Sequence, residues 1–301
     1  MKQFIRKIIL YSLPLLLFAI IMEIVVEQIP NSYTYKQQYM ENNAHHIKNL
    51  ILGSSIAYDG IDAKELNNAF NLANSSQCFE DDYRLLSKYI DKMDSLQNVI
   101  LPMIYASPYI ISSSNRRVYY TIYMDIYPRF PISKYSFECF NLELMAKKCV
   151  KAIILHEDMM RCDSLGQRLG HTLALRGEDW KDINKLVSND TFTSKASIPY
   201  FEENNEFLNN IALICQKHNV NLWLIEMPVM AEYKEQMPLK QIHKMETMID
   251  YVTKKYPNVH SLNYQDWGDS NCFWNATHLN TNGAKLLSKE INYLLQHKYR
   301  L

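Results

Sequence analysis

The sequence predicts an α/β protein: a parallel sheet with helices on both faces, behind a single N-terminal membrane-spanning helix. Two observations carry this. From about residue 48 onward, short apolar runs of strand length alternate with segments whose apolar residues recur at helical spacing, and elements that alternate in this way build parallel sheets. In addition, an apolar run near the N-terminus is long enough to cross a bilayer. The 301 residues suffice for one large domain with a substantial core.

Lys2, Arg6 and Lys7 precede the apolar run Ile8 to Val26. As a helix this run spans about 28 Å, and Pro14 is tolerated within it. Glu23 lies near its outer end, where its carboxylate is expected to snorkel toward water. The run is long for a signal-peptide core, and Met22-Glu23-Ile24 offers no small-residue cleavage pattern. An uncleaved anchor over residues 1–28 is therefore expected, with a cleaved signal peptide as the alternative. Positive charge before the run places the remainder of the chain outside the cytoplasm. The expectation is a single-pass protein of the inner (cytoplasmic) membrane with a periplasmic C-terminal domain.

Residues 29–47 are polar, carry Pro30, and read as a linker. The α/β domain comes next, over 48–301. Its strands are expected at Lys48–Leu52, Ala69–Leu72, Asn98–Ile104, Asn221–Glu226 and near Val259–Leu262. Asp62 can cap a short helix. Helical spacing marks Phe79, Tyr83, Leu86 and Ile90; then Phe207, Ile211 and Ile214; then Ile242, Met245, Ile249 and Val252; and finally Leu286 to Leu295. The stretch of about 106–205 breaks the alternation. It is rich in Tyr and carries Pro128 and Pro131. A connection of that length is functional or has structure of its own, so it reads as a helical insertion, either a wall of the site or a packing accessory.

Composition narrows the function. Lys+Arg and Asp+Glu are both 32, so no basic excess points to nucleic acid. Glycine numbers only 7, and neither GxGxxG nor GxxxxGK[ST] occurs, which argues against a nucleotide-binding loop. No CxxC pair exists among Cys78, Cys139, Cys149, Cys162, Cys215 and Cys272, so no structural zinc is expected. The six thiols are either free and buried or paired in disulfides. No cofactor or metal is expected.

Three segments carry chemistry. Ile51-Leu52-Gly53-Ser54-Ser55 is a strand ending in a small-residue turn, which can lift a hydroxyl to the top of a sheet. Phe70-Asn71-Leu72-Ala73-Asn74 succeeds the second strand and offers hydrogen-bond donors to a developing oxyanion. His278 precedes the last helix, with Asn275 three residues earlier, which suits a general base and its orienter.

Together these segments resemble the SGNH (GDSL-like) hydrolase superfamily over roughly residues 48–298, the insertion excepted. Gly53-Ser54-Ser55 is similar to the nucleophile block, with Ser54 where many members have Asp. Phe70-Asn71-Leu72-Ala73 is similar to the second block, with Ala73 in place of its glycine. Asn275-Ala276-Thr277-His278 is similar to the final Asp-x-x-His block. The resemblance implies a three-layer, flavodoxin-like sheet and an esterase or O-acyl(acetyl)transferase with Ser55, His278 and Asn275 catalytic and Gly53, Ser54, Ala73 and Asn74 at the oxyanion or binding side. In style the chain is closest to anchored envelope proteins of alginate O-acetylation and teichoic-acid D-alanylation. That implies a carbohydrate substrate and an integral membrane O-acyltransferase as partner. Two departures stand out. The third block's Asn is absent from Leu101-Pro102-Met103-Ile104-Tyr105. A neutral Asn275 also replaces the acid that orients the histidine, unless Asp269 or Asp266 swings in to supply the charge.

Overall fold

The computed structural model describes residues 1–112, 114–177, 180, 182–192 and 194–297; the last residues of the expected domain lie outside these. The elements run α1 (Lys2–Glu27), α2 (Ser32–Asn43), β1 (Asn49–Ile51), α3 (Ser55–Gly60), β2 (Ala69–Asn71), α4 (Phe79–Tyr89), β3 (Asn98–Met103), α5 (Ser114–Ile122) and α6 (Leu142–Cys149). They continue with α7 (Ile183–Asp190), α8 (Ile198–Lys217), β4 (Asn221–Glu226), α9 (Ala231–Gln236), α10 (Leu239–Lys255), β5 (Val259–Asn263) and α11 (Thr281–His297). The chain divides into two units, one of Met1–Gln38 with Ser113–Arg161 and one of Tyr39–Ser112 with Cys162–Leu301.

In the larger unit the five strands are all parallel, in the order β2-β1-β3-β4-β5. That is the doubly wound, flavodoxin-like order, whose switch point lies beside β1. Leu50 stands opposite both Phe70 and Val99, and Ile100 stands opposite Trp223. Leu50, Ile51, Val99 to Leu101 and Leu222 to Ile225 are all buried, the continuous apolar signature of strands covered on both faces. β5 instead alternates beyond Val259, with His260 and Leu262 half-buried and Ser261 and Asn263 exposed, as suits an edge. Helix α8 contacts both α4 and α10, and α3 contacts α11. Right-handed crossovers in this strand order place those two groups on opposite faces. Asp62 does cap a turn: its Oδ1 accepts from Lys64 N–H at 3.0 Å.

In the smaller unit, α1 contains a stretch, Leu10–Glu27, long and apolar enough to cross a membrane. Glu23 departs from the snorkelling expectation. It is buried, and its carboxylate accepts from the N–H groups of Glu138 and Cys139, each at 2.8 Å. The expected linker 29–47 is largely helix α2. Asn31 starts it, its Oδ1 accepting from Tyr33 N–H at 2.9 Å and Thr34 N–H at 3.1 Å. The insertion is itself divided, because its residues Ser113–Arg161 belong to the smaller unit and those before and after them to the larger. All six cysteines are free.

Candidate active site

The candidate nucleophile turn is built from β1 outward. Gly53 has φ +114°, and a Cβ there would stand 3.2 Å from that of Ala57, so the turn takes glycine. Gly53 N–H donates to Asp82 Oδ1 at 2.8 Å, and Gln77 Nε2 donates to the same oxygen at 2.6 Å. Asp82 is fully buried on α4, and burial pushes its carboxyl up to about 7. Ser54 caps α3, its Oγ accepting from Ile56 N–H at 3.4 Å. Ser55 therefore opens the helix, where the first N–H groups have no partner within it. It is half-buried while the residues on either side are buried.

The second half of the site lies beyond β5. Trp274 N–H donates to His278 O at 2.7 Å, closing a tight loop. Inside that loop Asn275 Oδ1 accepts from Thr277 N–H at 3.0 Å and His278 N–H at 2.9 Å, the local bonding by which Asn shapes a turn. The same oxygen lies 3.1 Å from His278 Nδ1, and Thr277 Oγ1 lies 3.0 Å from it. Because the Thr277 hydroxyl donates to Asn275 Oδ1 at 3.3 Å, both oxygens near Nδ1 act as acceptors. The proton then sits on Nδ1, an assignment made from the network. His278 Nε2 is left to accept from Ser55 Oγ, 2.8 Å away. Burial first, and then the charges of His171 and Arg168, hold the His278 ring down to about 3. The imidazole is neutral at any ordinary pH.

Three residues that the sequence did not single out crowd the same place. Asp59 lies on α3 four residues after Ser55, on the same helix face. Its Oδ2 is 3.9 Å from His278 Nε2, 3.4 Å from His171 Nδ1 and 3.5 Å from Arg168 Nη1. Arg168 Nη1 is also 3.5 Å from Ser75 Oγ. The His171 ring stacks on Trp274 with centroids 4.5 Å apart. Arg168 and His171 come from the insertion, where the chain is tied down by backbone bonds. Asn71 N–H donates to Leu165 O at 2.8 Å, Arg168 N–H to Tyr58 O at 3.1 Å, and Thr281 N–H to His171 O at 2.8 Å. Of the two readings of the insertion, a wall of the site describes residues 162–171.

The backbone donors expected of Gly53, Ala73 and Asn74 are occupied. Ala73 N–H donates to Asn71 Oδ1 at 3.1 Å, which corrects its assignment as a free donor. Asn74 N–H donates to Gly53 O at 3.3 Å, and its buried side-chain amide faces Leu72 O at 3.5 Å. Gly53 N–H is held by Asp82. Ser54 caps α3 as an acceptor, so among the described residues its own N–H and hydroxyl, with the N–H of Ser55 at the start of α3, are the donors left at the turn. Asp266 is paired with Lys234 at 2.8 Å, and Asp269 accepts from Asn271 N–H at 2.8 Å. Neither is bonded to His278, whereas Asn275 Oδ1 stands 3.1 Å from its Nδ1.

No protein-family model and no curated protein matches the chain. Two solved structures are similar to it: a candidate platelet activating factor from Streptococcus pneumonia and a candidate acylhydrolase from Bacteroides fragilis. The first has a TM-score of 0.42 at 11% identity, covering 95% of this chain and 98% of that one. The second has a TM-score of 0.42 at 9% identity, covering 88% and 97%. Similarity at that level does not decide function, which rests on the side chains.

Proposed function

We propose that the chain is an SGNH-type serine esterase or O-acyl(acetyl)transferase, anchored by α1 with its α/β unit outside the cytoplasm, and acting on an envelope or secreted polysaccharide. The observation that supports it is the relay in which Ser55 Oγ meets His278 Nε2 at 2.8 Å and Asn275 Oδ1 meets Nδ1 at 3.1 Å. The three residues come from opposite ends of the domain to the carboxyl edge of one sheet, where α/β proteins bind ligands. Ser55 Oγ attacks the ester carbonyl while His278 Nε2 takes its proton, and the oxyanion forms at the N-terminus of α3. His278 then returns the proton to the departing sugar oxygen, leaving Ser55 acylated. Water or a second sugar hydroxyl completes hydrolysis or transfer through that same acyl-enzyme. Polysaccharide as substrate and an integral membrane O-acyltransferase as partner come from the resemblance.

A second reading, a binding or scaffold protein of this shape with impaired chemistry, draws on one observation: the base is oriented by a neutral amide that cannot stabilise an imidazolium. A fluorophosphonate probe separates the two. The catalytic reading expects labelling of the full-length chain at Ser55 that is lost in Ser55→Ala and His278→Ala. Absence of labelling in folded wild type would leave the binding reading.

A further inference from the structure

We infer that the smaller unit carries a second membrane contact, a helical face that lies in the outer headgroup region beside α1. The feature behind it is an amphipathic segment turned inside out. Helix α6 runs on through a wider helical turn to Ile154. Leu142, Ala146, Val150 and Ile153 succeed one another at helical spacing, and all are exposed. Leu142 is 68% exposed, Val150 43%, Ile153 48% and Ile154 68%. On the opposite face the buried positions are Met145 and Lys148. A surface helix of a water-soluble domain turns its apolar stripe to the core and its charges to water; here a lysine faces inward beside Met145, and aliphatic side chains face out alongside Glu143 and Lys147. Exposed apolar patches of this kind mark an interaction surface.

The depth of that face is fixed by the polar contacts behind it. Lys148 Nζ donates to Val26 O at 3.0 Å and pairs with the buried Glu138 carboxylate at 2.7 Å. Glu23 in turn holds the N–H groups of Glu138 and Cys139. Both attachments are to the last turn of α1, and Glu23 lies only about 6 Å along the axis from Glu27. The face beginning at Phe140, 53% exposed, is therefore level with the end of the apolar span, where interfacial helices bury their apolar side in the headgroup–acyl boundary. Val25, 38% exposed on α1 itself, lines one cleft with Ala152 and Ile153, so the apolar surface is continuous with that of the span. Lys147 and Lys151, exposed on the same segment, pair with Glu143 and Glu157, so the polar flank of the face carries both signs of charge, as the headgroup layer does. The occupant is the lipid surface, and the inference rests on α1 crossing the bilayer.

The test uses full-length protein reconstituted in vesicles of phosphatidylcholine and phosphatidylglycerol, with lipids brominated at the headgroup end or deep in the tails as quenchers. Single variants Leu142→Trp, Ile154→Trp and Leu16→Trp are read over the emission of the four native tryptophans, all of which lie in the α/β unit. The inference expects blue-shifted added emission from Leu142→Trp and Ile154→Trp, quenched more by shallow than by deep bromine, with the reverse order for Leu16→Trp. Added emission at 142 and 154 that neither bromine position quenches, with Leu16→Trp quenched, would overturn it, including the case of a protein partner covering the face. Loss of quenching at Leu16→Trp as well would overturn the membrane-spanning reading, and this inference with it.

Discussion

Asn275 Oδ1 lies 3.1 Å from His278 Nδ1, on the opposite side of the ring from Ser55. The amide fixes the tautomer and leaves the ring's basicity nearly unaided. Asn275→Asp puts a charge where the imidazolium forms and preserves the acceptor for Thr277 and His278 N–H. In the serine-protease case the loss of that charge costs about 10⁴ in turnover. The gain here is smaller, because Arg168 already places positive charge nearby. Ser55 labelling should accelerate about tenfold or more, measured as the pseudo-first-order rate with a fluorophosphonate. An unchanged rate would mean that Asn275 does not limit the base.

The second prediction concerns pH. His278 is held down to about 3 against an ordinary 6.5 by burial, His171 and Arg168. The ring must be neutral to accept the Ser55 proton, so labelling should persist well below pH 6.5 and fall only as the ring protonates. Asp59, Asn275 and Thr277 also face this ring, and Asp59 alone among them carries opposing charge. Arg168→Gln removes one of the positive charges and leaves Asp59 less neutralised. Its acid limb should lie at higher pH than that of wild type; coincident limbs would show that Arg168 exerts no field at the base. The same shift bears on stability. Between 6.5 and about 3 the unfolded chain takes up a proton that folded His278 refuses, so this residue costs stability progressively as pH falls through that window.

How far the sequence foretold this site depends on chain distance and periodicity. Ser55 and His278 could be read because each sits at a fixed place after a recognisable strand, and five strands in alternation leave few topologies. Asp59 carries only an i, i+4 relation to Ser55, which has meaning once α3 is known to begin at Ser55. Arg168 and His171 carry no signal of their own. They lie in a stretch without regular periodicity, more than a hundred residues from Ser55, and reach it through backbone bonds such as Asn71 N–H to Leu165 O. Glu23 misled for a related reason. A carboxylate near a membrane boundary is expected to seek water, and nothing local reveals that Glu138 and Cys139 offer it two N–H groups instead.

The insertion's grip on the site gives a third prediction. Gly166 has φ +85°, and a Cβ there would stand 2.1 Å from Asn71 O, a backbone atom at the end of β2 that cannot yield. Gly166→Ala should therefore push the 162–171 segment off the sheet edge and carry Arg168 and His171 with it. A strained backbone and a lost packing contact together cost about 2–4 kcal/mol, seen as a lower denaturation midpoint. Gly170→Ala is the control, because its φ of +93° carries a similar strain but nothing lies within 4 Å. Equal losses in the two variants would mean that contact with Asn71 contributes nothing.

The last prediction concerns Asp82, whose carboxyl holds the nucleophile turn from below. Burial raises it to about 7 from an ordinary 3.8. Its Oδ1 accepts from Gly53 N–H and Gln77 Nε2, while its Oδ2 has no hydrogen-bond partner among the described residues. Between pH 3.8 and about 7 the unfolded chain gives up this proton and the folded chain keeps it. The unfolded state binds fewer protons, so Asp82 withdraws stability as pH rises through that interval, by on the order of a few kcal/mol in full. Asp82→Asn has no proton to lose and keeps an oxygen for Gly53 and Gln77. Relative to wild type it should thus gain stability from pH 4 to pH 8, measured as the difference in urea midpoint between the two proteins, in which other titrating groups cancel. A difference that does not change with pH would show Asp82 to be ionised throughout. Asp82→Ala separates the charge from the hydrogen bonds, because it leaves Gly53 N–H and the Gln77 amide without their acceptor. Ser55 labelling should survive Asp82→Asn and fall in Asp82→Ala, since only the second releases the turn that aims Ser55 at His278.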